Sequence, residues 1–276
     1  ALNALTRLEV ADGVRIAPSL VNRELEANSA TRASGTPLAD ISRLETRPSP
    51  FREAVDLTLR ARQGTAQTGN LVVGTGARIE LDPGANLTLD GLNQVDIDGV
   101  LRAQGGTVTA SSDVQVRLGS QASFDVSGIG QTYVDNRGLT QGTVRAGGTV
   151  DMRAASVVAE AGSRIDVSGA APVRLDVPNE NGSLGRTVGS EGGALNVFAN
   201  GSIRLDGTLA AQGGAAGLRG GRFAATLGEF VEPGPGQPLA PTVLRVMDTV
   251  APGQTDGATR IATRKLEEAG FDRIQL

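Results

Sequence analysis

The chain has 276 residues, a formal net charge of -4 and a hydrophobic content of 39%, which suffice for one domain with a sizeable core or for one elongated stack. It contains no Cys and no His, and this composition excludes disulfides, thiolate metal sites and Ser/His/Asp catalysis. The mildly acidic balance argues against a nucleic-acid-binding surface, and no apolar run is long enough to cross a membrane. We therefore expect neither nucleic acid as a partner nor insertion into a membrane.

The first 54 residues show no internal repeat. The stretch "ATRASGTPLADISRLETRPSPF" from Ala30 is rich in Pro, Ser and Arg, so we predict that residues 1–54 form an irregular lead-in segment. The first clear strand is "VDLTLRA" from Val55. Because the chain begins at Ala1 without Met or a signal peptide, we interpret it as a fragment of a longer protein.

A repeat fills the middle of the chain, where four lines of sequence fall into register from Ala85, Gly106, Gly148 and Gly193. Each line contains three short runs of alternating apolar and polar residues, a pattern typical of strands with one buried face. In the third run, the step from Ile79 to Leu101 is 22 residues and the step from Leu101 to Phe124 is 23. In the second run, the predicted inward pairs are Val95/Ile97, Val116/Leu118, Ala159/Ala161 and Ile203/Leu205.

Rungs of about 22 residues with three strands each predict an all-β fold, a right-handed parallel β-helix of triangular cross-section. Longer steps further along the chain arise from insertions at residues 129–147, 170–192 and 215–218, and each insertion follows the same corner of the rung. They should therefore project as loops from one side of the rod, where recognition residues are often found. We assign residues 55–227 to this parallel β-helix.

Residues 228–276 are predicted to form a loop, one short helix and the start of a further rung. The stretches "EPGPGQPLAP" and "APGQTDG" indicate loops because of their Pro and Gly content. Helical spacing ended by Gly270 is shown by the apolar residues Ala258, Ile261, Ala262, Leu266 and Ala269. A strand is then predicted from Phe271, in "FDRIQL".

Two pairs of carboxylates are candidates for chemistry. Asp125 and Asp166 occupy equivalent positions in adjacent rungs and should point outward about 5 Å apart. Such a pair could cleave a polysaccharide by general acid and base catalysis or hold Ca²⁺, whereas a solvated ladder of mixed charge is the simpler interpretation. Ca²⁺ binding or solvation are likewise the two interpretations for Asp96 and Asp98. We assign no catalytic residue, cofactor or metal site, and we expect that the chain is not an enzyme.

The insertions carry the other candidate residues. Tyr133 and Arg137 lie in the first insertion, and the second contains Arg174, Asp176, Asn181 and Arg186. An aromatic ring with Arg and Asn side chains on a projecting loop could contact a glycan or a protein, although polar residues are also what any surface loop shows.

Two groups of segments resemble a known family. The lines "GGTVTASSDVQVRLGSQASFDVSG" from Gly105 and "GSIRLDGTLAAQGG" from Gly201 resemble the haemagglutinin repeats of filamentous haemagglutinin-type exoproteins. The segments "LTLRA", "GNLVV" and "GFDRIQL" resemble the conserved region of large members, so the resemblance covers about residues 55–276. It implies two-partner secretion, in which an outer-membrane transporter barrel exports the protein to the bacterial surface.

The function that we expect is structural and adhesive. The chain would be a rigid rod segment of a large secreted exoprotein that presents surface loops to glycans or proteins of host or bacterial cells. Two alternatives stay open: a polysaccharide lyase or hydrolase on the same fold, and a passive stalk of a contact-dependent toxin. Cleavage that depends on Asp125 and Asp166 would identify the enzyme, and binding by this segment would separate the adhesin from the stalk.

Overall fold

The computed structural model describes residues 1–62, 68–180, 182–228, 243–251 and 259–276. Strands dominate this part of the chain, which also contains one α-helix, α1 (Thr263–Glu268), and 3₁₀ turns at Ser29–Thr31, Leu38–Asp40 and Ser49–Phe51. In chain order the strands are β1 (Leu2–Ala4), β2 (Arg7–Val10), β3 (Arg15–Ile16), β4 (Asn22–Leu25), β5 (Ser42–Glu45), β6 (Leu57–Ala61), β7 (Asn70–Val73), β8 (Arg78–Glu80), β9 (Asn86–Gly91), β10 (Gln94–Ile97), β11 (Val100–Arg102), β12 (Thr107–Ser111), β13 (Gln115–Leu118), β14 (Ser123–Asp125), β15 (Ile129–Val134), β16 (Thr140–Arg145), β17 (Thr149–Ala159), β18 (Arg164–Asp166), β19 (Val173–Asn179), β20 (Gly182–Val188), β21 (Ala194–Leu205), β22 (Thr208–Ala210), β23 (Gly221–Leu227), β24 (Leu244–Met247), β25 (Thr259–Ala262) and β26 (Phe271–Gln275).

Three ladders of parallel strands surround one core. Face 1 consists of β1, β6, β9, β12, the first halves of β17 and β21, β23 and β26. Face 2 consists of β2, β7, β10, β13 and the second halves of β17 and β21. Face 3 consists of β3, β8, β11, β14, β18 and β22. Because the chain returns to each face once per rung and pairs in parallel with the rung before, the predicted all-β parallel β-helix is confirmed.

The core is a stack of apolar side chains that occupy the same register position in successive rungs. On face 3, Leu101 pairs with Ile79 on one side and with Phe124 on the other, and the ladder continues to Ile165. All four side chains are buried, whereas the residues directly before and after each of them in its strand are partly or fully exposed. Burial of these aliphatic and aromatic ladders is the main stabilising contribution, since it grows with the apolar area removed from water.

A column of glycines allows close stacking at the corner that precedes face 1. Gly106, Gly148 and Gly193 are equivalent residues of successive rungs, and a Cβ on any of them would collide with the backbone of the neighbouring rung. A Cβ on Gly148, for example, would meet the carbonyl oxygen of Gly106. These glycines are therefore required by close backbone approach rather than by an unusual φ.

The predicted inward pair Ala159/Ala161 is wrong, because the observed inward pair lies two residues earlier, at Val157 and Ala159. Val116 and Leu118 pair with Val157 and Ala159, which are buried, while Ala161 is exposed. The cause lies in β17, which continues from face 1 to face 2 as one strand with a register shift between Ala154 and Ser156, whereas residues 112–114 separate β12 from β13 in the rung before. Because no break separates the two halves of β17, the sequence does not show where its face 2 half begins.

The start of the chain also differs from the irregular lead-in segment that we expected. Strands β1, β2 and β3 pair in parallel with β6, β7 and β8, so residues 2–16 already form a rung. Residues 17–56 separate this rung from the next, and they include the antiparallel pair β4–β5. The division of the chain into domains at residues 54 and 227 stays a prediction.

The two long insertions leave the helix at one corner, as predicted, but they are β-hairpins rather than loops. Strand β15 pairs antiparallel with β16, and β19 with β20. Both hairpins lie between a face 3 strand and the next face 1 strand, and so do residues 17–56. Antiparallel pairing satisfies the backbone hydrogen bonds of a projecting segment without help from the rod.

Near the C-terminus, the short helix is confirmed but begins later than its apolar spacing suggested. Ala258 lies outside the described residues, and Ile261 and Ala262 belong to β25, which pairs in parallel with β24. Helix α1 ends before Gly270, whose φ is 87°, and β26 then pairs with β23. In the described part of the chain, no helix is both long and apolar enough to span a membrane.

Candidate functional site

Asp125 and Asp166 are neighbours, as the repeat predicted. They are register partners on β14 and β18, and both side chains point outward. Each carboxylate accepts hydrogen bonds from the serine two residues further on. The Ser127 N–H and hydroxyl donate to Asp125 Oδ1 at 3.1 and 2.6 Å, and the Ser168 N–H donates to Asp166 Oδ1 at 3.0 Å, with its hydroxyl as a second donor. The Asp-x-Ser sequence therefore shapes the corner that follows face 3.

Arginine side chains bind the second oxygen of each of these carboxylates. Arg102 Nε lies 3.1 Å from Asp125 Oδ2, and Arg164 Nη2 lies 2.7 Å from Asp166 Oδ2. Both oxygens of both carboxylates thus have partners within the protein. A general acid and base pair needs an oxygen that can reach a substrate proton, so this geometry favours the structural interpretation over polysaccharide cleavage.

Asp96 and Asp98 both lie close to the guanidinium of Arg117. Arg117 Nη1 lies 3.6 Å from Asp96 Oδ1 and 3.4 Å from Asp98 Oδ2, and its Nε donates to Glu160 Oε1 at 2.8 Å. The hydrogen bond to Glu160 contributes most to a raised pKa of Arg117. Among the described residues, no group of three or more acidic, His or Cys side chains could hold a metal ion.

Tyr133 and Arg137 lie on the first hairpin but not in one cluster. Tyr133 is on β15, 38% exposed, and its ring centroid is 4.6 Å from that of Phe51. Arg137 lies in the turn, where Asp135 Oδ1 accepts hydrogen bonds from the N–H groups of Arg137 at 2.8 Å and Leu139 at 3.0 Å. These backbone donors, that of Leu139 foremost, lower the pKa of Asp135.

The second hairpin holds Arg174 and Asp176 on β19 and Arg186 on β20, whereas Asn181 lies outside the described residues. Asp176 joins the two hairpins. Its Oδ2 accepts from the Thr140 N–H at 2.9 Å, and its carbonyl oxygen accepts from Gln141 Nε2, also at 2.9 Å. Arg174 and Arg186 are exposed, so they are accessible to a partner on this side of the rod.

Residues 47–56 also lie on this side of the rod, in contact with the first hairpin. Gln131 Nε2 donates to Ser49 Oγ at 2.9 Å, next to the contact between Phe51 and Tyr133. Arg52 is bound to Asp82 by two hydrogen bonds of 2.7 and 2.5 Å, and only 19% and 9% of the two side chains is exposed. The segment after the first rung therefore crosses the later rungs and meets the first hairpin. No motif in residues 17–56 signals this path.

The chain is similar to two curated relatives. It is 35% identical over 170 residues to Toxin CdiA of Yersinia pestis, and the match covers 54% of this chain but 5% of that protein. It is 30% identical over 171 residues to Deoxyribonuclease CdiA of Yersinia pseudotuberculosis serotype O:3 (strain YPIII), covering 50% of this chain and 16% of the relative. The chain thus spans a small part of the length of either relative. No family model matches the chain, and neither does any solved structure.

The second relative overturns one expectation from the sequence. We expected that the chain is not an enzyme, and this is contradicted by its similarity to a protein that is named as a deoxyribonuclease. The expectation was wrong because it rested on the absence of His, Cys and a catalytic motif from 276 residues, and such an absence does not bear on the rest of a longer protein. The match covers only 16% of the length of the relative.

Proposed function

We propose that this chain is a stiff arm of a large secreted toxin on the bacterial surface. Of the alternatives weighed above, the toxin stalk agrees best with the two relatives, which are named as a toxin and a deoxyribonuclease. The supporting observation is the parallel pairing that continues on all three faces from β6 to β22, with one register shift between Ala154 and Ser156, since parallel ladders over a stacked core resist bending. The parent protein would degrade DNA of neighbouring cells, and an outer-membrane transporter barrel would export it.

The experiment uses the full-length protein in the bacterium that makes it. Protease added to intact cells should remove the segment, as detected by an antibody against this chain, and target cells in direct contact should lose intact DNA. A filter that separates the two populations should abolish this loss. A segment that is protected in intact cells, or DNA loss of equal extent across the filter, would overturn the proposal. The purified chain, incubated with supercoiled plasmid and Mg²⁺, tests in addition whether DNA cleavage arises within these residues.

A second function, adhesion through the hairpins, is favoured by the distribution of exposed apolar side chains. Val134, Val177 and Leu184 are exposed on the two hairpins, whereas Val114 is the one large hydrophobic residue exposed among described residues 57–128. Exposed apolar groups next to Arg174 and Arg186 are typical of contact surfaces.

Replacing residues 131–143 by a short Gly-Ser turn should reduce binding of the purified segment to whole cells. Shortening the small insertion at residues 215–218 is the matched control and should leave binding unchanged. Equal binding by both variants would remove the hairpins as the adhesive surface.

A further inference from the structure

The face 2 ladder ends at the second half of β21. This half pairs with β17 on one side, and within the described residues no strand of the ladder pairs with its other side. The Thr259 hydroxyl instead accepts a hydrogen bond from the Ile203 N–H at 2.8 Å. Further along the same edge, Lys265 Nζ donates to the carbonyl oxygen of Leu205 at 2.7 Å. A paired strand would lie about 4.8 Å away along the whole edge, whereas two side chains leave part of the space open.

A cavity of about 70 Å³ lies in this space, between the end of β21 and the segment formed by β25 and α1. It has room for several water molecules, since one water needs about 10–15 Å³. Its walls are mostly apolar, and five of the side chains that form them are buried: Ile203, Leu209, Phe223, Ile261 and Leu266. Water would find few hydrogen-bond partners against these walls, which therefore favour an apolar group.

Lys265 and Arg204 bring unused N–H donors to the same cavity. An ammonium group has three N–H groups, and the Leu205 carbonyl oxygen accepts from one of those of Lys265. Arg204 Nε is buried and makes no hydrogen bond in the described part of the chain, although it lies 3.5 Å from Asp206 Oδ2. A buried donor without an acceptor costs free energy, so an acceptor that entered the cavity would be stabilised.

The charges around the cavity favour an acceptor that is an anion. Among the described residues, three cationic side chains and one carboxylate line it: Arg204, Arg260, Lys265 and Asp206. Burial lowers the pKa of Lys265, and the attraction of Asp206 offsets only part of this effect. The ammonium form therefore lacks a full counter-ion. A carboxylate with an apolar chain matches both halves of the cavity, because its oxygens accept from charged donors and its chain packs on the apolar walls.

We propose that this cavity binds an aliphatic carboxylate, such as a fatty acid with a short chain. The carboxylate accepts hydrogen bonds from Lys265 Nζ and Arg204 Nε. The chain packs against Leu209, Phe223 and Leu266, which line the cavity. This binding site depends on the end of the face 2 ladder and not on the toxin-arm proposal. Its failure would therefore leave the arm proposal intact.

The test uses the whole chain, labelled with ¹³C at the Cε atom of lysine, because Lys265 is its only lysine and gives a single signal. The probes are millimolar hexanoate, hexanol, which lacks the charge, and acetate, which lacks the apolar chain. We expect hexanoate to raise the pKa of Lys265 in an NMR titration, because a bound carboxylate stabilises the ammonium form. Hexanol and acetate should bind at least about tenfold more weakly. No rise with hexanoate, an equal rise with acetate, or equal affinity for hexanol would overturn the proposal.

Two variants and a control decide whether the cavity is the binding site, with affinity measured from the NMR shift of the Leu266 amide. Lys265→Gln should weaken hexanoate binding at least about tenfold and leave hexanol binding unchanged. Ala262→Leu, which fills the cavity, should abolish binding of both. Arg264→Gln removes a charge that pairs with Glu268 outside the cavity and should change nothing. Circular dichroism and the Tm verify that the variants are folded. Equal weakening by Lys265→Gln and Arg264→Gln, or full hexanoate binding by Ala262→Leu, would contradict the assigned site.

Discussion

Phe124→Ala tests whether stacked side chains hold the rod together. The ring is completely buried on face 3, with register partners Leu101 on one side and Ile165 on the other. Replacing a buried Phe by Ala costs about 3–5 kcal/mol, because transfer energy is lost and a cavity is left. Each rung is stabilised chiefly by its two neighbours, so the loss falls on both interfaces of this rung. A free energy of unfolding of about 5–15 kcal/mol would be strongly reduced.

Urea denaturation followed by far-ultraviolet circular dichroism measures this loss, since the chain has no Trp to report by fluorescence. Val114→Ala is the control: it shortens an apolar side chain that is 46% exposed and should cost about 1 kcal/mol or less. A loss below about 1 kcal/mol for Phe124→Ala, or equal losses for the two variants, would refute the reasoning.

Three further substitutions test other features of the fold. Gly148→Ala should destabilise the chain by about 2 kcal/mol in urea because its Cβ meets backbone, whereas Gly228→Ala, whose Cβ would have its nearest neighbour at 3.8 Å, should be tolerated. Arg52→Met leaves a buried carboxylate without its cation and should cost about 3 kcal/mol in thermal denaturation; a cost under about 1 kcal/mol would contradict a tight ion pair. Because the fold lowers the pKa of Asp135, its contribution is complete above its unfolded pKa of about 3.9 and is lost as the pH falls through the folded pKa. The protection of the Leu139 amide against hydrogen exchange, measured relative to an unstructured amide at the same pH, should therefore fall in acid, and in Asp135→Ala it should be low at every pH.

The sequence was sufficient to predict the core ladders of the rod. The steps from Ile79 to Leu101 and Phe124 are the observed register, because alternating apolar residues must all face one axis. Strands β1–β3 were missed because residues 17–56 separate them from the next copy, and strands of two to four residues carry too little pattern to be recognised alone. The hairpins were predicted as loops because antiparallel pairing within an insertion leaves no repeat to compare.

The candidate site was predictable to a smaller extent. The neighbouring positions of Asp125 and Asp166 followed from the repeat, and their serine contacts are implied by the two Asp-x-Ser sequences. The pairing of β26 with β23 could not be found in this way. The two strands are more than 40 residues apart in sequence, and a register shift between Gly221 and Arg222 displaces the count.

The corner after face 3, from which both hairpins leave, separates two properties of the molecule. Register partners on face 1 are 21 residues apart from Leu87 to Val108 and 45 residues apart from Val150 to Leu195, yet each step advances the rod by the same spacing of about 4.8 Å. The length of the rod therefore depends on the number of rungs and not on the number of residues. A descendant of this protein could exchange or delete a whole hairpin, and so change what its surface displays, while the distance between the two ends of the rod stayed constant.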